Sequence, residues 1–123
     1  MNELVIPHDH GNHDQEKAFS ACLGNEGNFE TVAILFKSLS DPTRIKIFWL
    51  LCHCEECVIN ISALMQMSSP AISHHLRALR AAGLVVSRRS GKEVYYKASE
   101  SEQCRLLHSV IEDALELTCP QCM

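Results

Sequence analysis

At 123 residues, with 46% hydrophobic and 21% charged side chains and a formal net charge of −4, the chain has the size and balance of one globular domain, small enough to favour pairing with a second copy. No apolar run approaches the roughly 18 residues of a membrane span, so no membrane partner is expected, and "MNELVIPHDHGNHDQEK" lacks the basic start and apolar core of an export signal. A cytoplasmic location is therefore expected, and thiols there stay reduced, so the seven cysteines point to metal or redox chemistry rather than to a disulfide framework.

The charge is uneven. Between Ser69 and Lys97, Arg77, Arg80, Arg88, Arg89, Lys92 and Lys97 stand against Glu93 alone, a local +5 that leaves −9 for the remainder. A basic stripe on an acidic body can hold phosphates while the body discourages indiscriminate binding.

In chain order, residues 1–27 are polar and read as an irregular arm with His8, His10 and His13, and a short helix around Gln15 to Cys22. Phe29, Val32, Leu35, Phe36 and Leu39 then recur at helical spacing. "SDPTR" stops that helix and starts another, since Asp41 is a good N-cap and Pro42 loses no hydrogen bond in the first turn. Ile45, Ile47, Phe48, Leu50 and Leu51 carry the second helix to "LLCHCEECVIN", where three cysteines and two glutamates crowd into six positions. A short helix over Val58 to Met67 and another through "SSPAISHHLRALRAAG" follow, the latter capped by Ser68 or Ser69, apolar at Ile72, Leu76 and Leu79, and stopped by Gly83. Two short helices across a tight turn make a helix-turn-helix. The period then changes from 3.6 to 2: "LVVSRR" and "EVYYKA" across "SGK" read as a β-hairpin. Helical spacing returns from Glu100 to Thr118 with Leu107, Val110, Ile111, Ala114 and Leu117 on one side. Nothing local remains for that stripe to pack on, so a partner subunit is expected.

"LSDPTRIKIFWLL" and "CVINISALMQMSSPAISHHLRALRAAGLVVSRRSGKEVYY", with the closing helix, resemble the ArsR/SmtB metal-responsive repressors over about residues 29–117. The resemblance implies a mainly α fold with a small β-hairpin wing, a winged helix-turn-helix, homodimeric through its terminal helices. It also implies a function that is not enzymatic: occupying double-stranded operator DNA and leaving it when an effector, commonly a metal ion, binds. On that frame residues 1–27 are the arm, 28–118 the DNA-binding and dimerisation domain, and 119–123 a cysteine-containing tail.

A recognition helix presents its N-terminal half to base edges in the major groove. Ser69, Ser73 and His74 lie on that half, Arg77 one turn after Ser73 suits a phosphate, and Arg88, Arg89 and Lys92 flank the wing turn. The family's glutamine near the start of this helix is Ser69 here.

Thiolates suit zinc, cadmium, lead or trivalent arsenic, because soft donors prefer soft acceptors. Cys57 matches the first cysteine of a Cys-Val-Cys effector site of the family, but Ile59 stands where the second would be. Cys52 and Cys54 offer replacements, and some relatives complete this site from the arm, where Cys22 is available. Cys119 and Cys122 form a second Cys-x-x-Cys candidate in the tail. The family's other effector site, on the closing helices, corresponds to Glu100, Glu102, Asp113 and Glu116, an all-carboxylate set better suited to hard ions. Cys104, His108 and Glu112 also form a ligand row at i, i+4 and i+8. Two other functions compete: a thiol redox or persulfide-sensing repressor of the same fold, using Cys52, Cys54 or Cys57 with a second cysteine, and a cytoplasmic thiol enzyme or metal-trafficking module. The enzyme would need an oxyanion-stabilising loop that the sequence does not offer beside His53.

Overall fold

The computed structural model describes residues 5–118. Its elements run α1 (His13–Leu23), α2 (Glu26–Ser38), α3 (Pro42–His53), β1 (Glu56–Cys57), α4 (Val58–Met65), α5 (Ser69–Ala81), β2 (Val85–Ser90), β3 (Glu93–Ala98) and α6 (Glu102–Thr118). The fold is mainly helical with one small antiparallel sheet, as expected. The chain divides into two units, Met1–Ile34 and Leu35–Met123. In the first, α1 covers the short helix expected around Gln15 to Cys22 and buries none of its residues.

In the second unit the helix boundaries follow from local chemistry. Asp41 accepts a hydrogen bond from the Arg44 amide at 3.1 Å and Pro42 occupies the first turn of α3. Ser68, not Ser69, caps α5, accepting from the Ala71 amide at 3.3 Å. Between α4 and α5, Gln66 takes the left-handed conformation at φ 54°, and the Met67 amide donates back to the Ser62 carbonyl at 3.1 Å, closing the tight turn. Gly83, at φ +75°, lies just past the end of α5, where a side chain would be strained.

The core is built where these helices meet. Ile47, Phe48 and Leu51 of α3, Ile61 of α4, and Ile72, Leu76 and Leu79 of α5 are buried with Leu84 and Val85 at the start of β2. Each such side chain contributes about 1.5–3 kcal/mol relative to exposure, so the apolar face of α5 is committed inward and its other face is left outward.

Two features depart from the sequence-based expectation. The sheet has three strands, in the order β1-β3-β2, because Glu56 and Cys57 pair with Tyr96 and Tyr95 at the inner edge of the hairpin. The cysteine run therefore crosses from a helix into a strand. The apolar stripe of α6 also splits: Leu107, with Cys104, is buried in the core of its own chain and Ile111 packs against it. Val110 and Leu117, together with Leu106, are exposed.

Candidate nucleic-acid interface and metal centre

With Ile72, Leu76 and Leu79 turned inward, α5 presents His74 and Arg77 to solvent and holds Ser69 and Ser73 half-buried beside them. His75 serves the scaffold instead. Its Nδ1 accepts from Arg44 Nε at 3.3 Å, and burial holds its pKa below the ordinary histidine value, against the opposing pull of Asp41.

In the wing, β2 and β3 pair from Val85–Ala98 to Ser90–Glu93, and Gly91 (φ +63°) with Lys92 makes the two-residue turn. Arg89 and Lys92 are exposed at its tip. Arg88 is already engaged: its Nε lies 3.0 and 2.9 Å from the two Glu55 carboxylate oxygens and its Nη2 2.6 Å from Oε1, while the guanidinium stacks over Tyr95 at 4.9 Å. The bond to Arg88 lowers the Glu55 pKa and raises that of Arg88. A phosphate at this position would have to compete with Glu55.

The three clustered cysteines sit in three environments. Cys52 is half-buried in the last turn of α3; burial, with the charges of Cys104 and Glu112 nearby, pushes its thiol up to about 12. Cys54 is exposed at the end of α3, its thiol 3.6 Å from the Leu50 carbonyl. Cys57 is buried in β1. Cys22 is exposed in the other unit, and Cys119 and Cys122 lie outside the described residues. Glu100 pairs with Lys97 at 3.6 Å, and Glu102, Asp113 and Glu116 are exposed along α6. Among the described residues, neither the cysteines nor these carboxylates gather as a three-donor set within one chain.

Such a set does form at His53, His108 and Glu112, whose donor atoms all lie within 4.8 Å of one another. Glu112 Oε1 is 2.9 Å from His53 Nε2, 2.7 Å from His108 Nε2 and 3.2 Å from the indole Nε1 of Trp49, and the two imidazole Nε2 atoms are 3.2 Å apart. Burial raises the Glu112 pKa, but the hydrogen bonds from His108, His53 and Trp49 together outweigh it and hold the carboxyl below its usual range. The i, i+4 spacing of His108 and Glu112 was visible in the sequence; their partner His53, 55 residues upstream, carried no local signal. Cys104, the third member of that row, turns into the core and donates to the Leu84 carbonyl at 3.4 Å. A cleft of about 330 Å³ beside the cluster is lined by Cys52, His53, Cys54, Cys104 and His108, among others.

A helix pair with a capped, basic second helix, followed by a two-stranded wing, defines the winged helix-turn-helix class. Residues 41–87 match the family described as "Bacterial regulatory protein, arsR family". A cadmium resistance transcriptional regulatory protein CadC homolog of Staphylococcus aureus is 39% identical over 77 residues, 62% of this chain and 64% of that protein. A biofilm growth-associated repressor of Agrobacterium fabrum is 34% identical over 79 residues, 64% of this chain and 68% of that protein. The chain thus matches about two thirds of the length of these relatives. A solution structure from Mycobacterium bovis, a homodimeric winged helix-turn-helix DNA-binding domain of a possible ArsR-family transcriptional regulator, superposes with a TM-score of 0.65 at 28% identity, over 91% of this chain and 92% of that one. The chain belongs to the ArsR family of bacterial regulatory proteins.

Proposed function

We propose that this chain is a metal-responsive transcriptional repressor, acting in the cytoplasm, that binds double-stranded operator DNA as a homodimer and releases it when a metal ion binds. The observation that carries this is the division of α5: an apolar face buried in the core and an outward face with His74 and Arg77, followed in the chain by a wing whose Arg89 and Lys92 are exposed. Ser69, Ser73, His74 and Arg77 would meet the major groove, and Arg88, Arg89 and Lys92 the flanking backbone, within a DNA-binding and dimerisation domain spanning 28–118. Exposed Leu106, Val110 and Leu117 on α6 support pairing through the terminal helices, as does the homodimeric relative from Mycobacterium bovis. A metal effector is supported by the relative named for cadmium resistance. Zinc, cadmium, lead and arsenite are the ions to compare. A thiolate site drawing on Cys52, Cys54 and Cys57, with Cys22 or the tail pair Cys119 and Cys122, would require the end of α3 to reorganise.

A second function, thiol redox or persulfide sensing on the same fold, is favoured by one observation: Cys52 and Cys104 border the same cleft. Against it, a thiol pushed up to about 12 is almost wholly protonated near neutral pH and is a poor nucleophile.

The test is operator binding by reduced protein on an inverted-repeat duplex, titrated with each ion and with salt. Binding should fall steeply with salt because basic side chains displace condensed counterions, and Arg77→Ala should reduce the salt slope by about 1. A 100-fold loss of DNA affinity on metal binding corresponds to roughly 2.7 kcal/mol of coupling. A monomer at micromolar concentration, a flat salt response, or release by oxidant but by no metal would overturn the proposal.

A further inference from the structure

We propose that His53, His108 and Glu112 bind a borderline divalent cation, of the zinc, cobalt or nickel class, through two imidazole Nε2 atoms and one carboxylate oxygen, tying the end of α3 to α6. The site deepens the metal-responsive function above by naming where the ion sits and what chemistry it has; its regulatory consequence rests on that function, its existence does not.

The geometry carries the inference. Three ring nitrogens, from the Trp49 indole and the His53 and His108 imidazoles, converge on a single oxygen, Glu112 Oε1, at 3.2, 2.9 and 2.7 Å. A carboxylate oxygen has two lone pairs in its plane, so three ring nitrogens on one atom are crowded. A cation between the three atoms would be held by both imidazoles with their protons on Nδ1, any proton on Nε2 passing to solvent, and would leave the indole N–H on the carboxylate. Tetrahedral zinc with bonds of about 2.0–2.1 Å separates its ligand atoms by about 3.3 Å. The observed separations of 2.7, 2.9 and 3.2 Å would have to open by about 0.6, 0.4 and 0.1 Å to reach that figure. Both rings coordinate through the nitrogen already pointing inward, and they are held edge to face with centroids 4.8 Å apart.

The donor set selects the ion. Two imidazoles and a carboxylate suit zinc, cobalt and nickel, whereas arsenite and lead favour thiolates. Trp49 Nε1 is the orienting partner that metal-bound carboxylates usually have, fixing which oxygen faces the ion. Three protein ligands would leave a fourth position for water or an added donor; two of the three, His53 and His108, line the cleft that Cys52 and Cys104 also line.

The position gives the site leverage. His53 is the last residue of α3, whose Ile47, Phe48 and Leu51 pack in one core with Ile72, Leu76 and Leu79 of α5. His108 and Glu112 are one turn apart on α6, which turns Leu107 into that same core and Leu106 and Val110 outward. An ion here couples the scaffold of the reading helix to the helix with the exposed apolar face.

The test uses full-length, reduced, metal-free protein titrated with cobalt(II) and then zinc(II). Trp49 is the chain's single tryptophan, so its fluorescence reports the site directly. The expected result is one cobalt per chain, quenched Trp49 emission, and a tetrahedral visible spectrum without the thiolate-to-cobalt charge-transfer band. Zinc should displace the cobalt. His108→Ala should weaken binding at least 100-fold, with circular dichroism to verify folding; Glu112→Gln, close in shape, serves the same purpose should His108→Ala unfold. Trp49→Phe, which removes the indole N–H but keeps an aromatic ring for the contact with His53, should weaken binding about tenfold, read by cobalt absorbance. The paired replacement Cys54→Ser with Cys57→Ser should leave cobalt affinity within twofold. A charge-transfer band that disappears in the cysteine variant while His108→Ala binds normally would overturn this site and leave the metal-responsive function standing. Absence of any cobalt or zinc binding would overturn this site and leave the metal-responsive function to cadmium, lead or arsenite at the thiols. Binding at the triad with no change in operator affinity would uphold the site and remove that ion as the effector.

Discussion

Two groups of metal-capable side chains meet at the end of α3, and the backbone treats them differently. From Cys52 to Cys57 the chain leaves a helix, passes an extended residue and enters a strand, so three neighbouring cysteines end up half-buried, exposed and buried in turn. Across the gap between α3 and α6, His53 and His108 project from two helices that pack on one core and meet at 3.2 Å. Closeness along the chain does not by itself bring donors together, whereas two packed helices do so from 55 residues apart. The contrast suggests that a soft-ion site must be made by rearrangement, whereas the imidazole–carboxylate site is already formed.

Thiol alkylation should open the widest gap. With iodoacetamide at pH 8, exposed Cys54 should be modified at least about 100-fold faster than Cys52, because a thiol pushed up to about 12 holds only about one part in 10,000 as thiolate. Residue-resolved mass spectrometry of the native protein decides it. Equal rates would mean that the end of α3 opens readily, and the distinction between the two groups would lapse.

Leu107→Ala should have a smaller effect, a loss of about 2–3 kcal/mol of stability as a cavity forms beneath α6. Because Leu107 neighbours His108, cobalt affinity should fall with it while Cys54 labelling stays the same. Denaturant unfolding and metal titration of one preparation would show whether the two losses travel together.

The smallest effect concerns His75, which burial keeps below the ordinary histidine value of 6.5. The unfolded chain takes up this proton first, so the contribution to stability is complete above about pH 6.5 and is lost as pH falls through the depressed value. Between pH 7 and pH 5 the Tm of the wild type should fall more steeply than that of His75→Gln. Parallel slopes would show that His75 carries no acid sensitivity and that titration in this region belongs elsewhere.

Helix periods, the Asp41–Pro42 start and the wing turn were all legible in the sequence because each rests on chemistry within four residues. β1 was not: two residues carry no period, and their pairing depends on Tyr95 and Tyr96 nearly 40 positions later. Nor could spacing tell which half of the α6 stripe packs at home, since Leu107 and Val110 look alike until α3 and α5 are in place. Sequence density drew attention to Cys54 and Cys57, and His108 with Glu112 was visible as a turn of helix. His53 had no signal of its own, because only tertiary packing makes it a neighbour of α6.

The order of the sheet has a further consequence, for solubility. Among the described residues β3 is paired on both sides, and β1 and β2 are the edge strands. An unpaired strand edge is a template on which another chain can add, and fibrous or amorphous association begins at such edges. β1 offers only two residues, too short to seed a growing ladder. The longer edge, β2, carries Arg88 and Arg89 side by side. Arg88 is already paired with Glu55, so the charge that a second copy laid along this edge would meet is that of Arg89, a single cation that works against extension of the ladder.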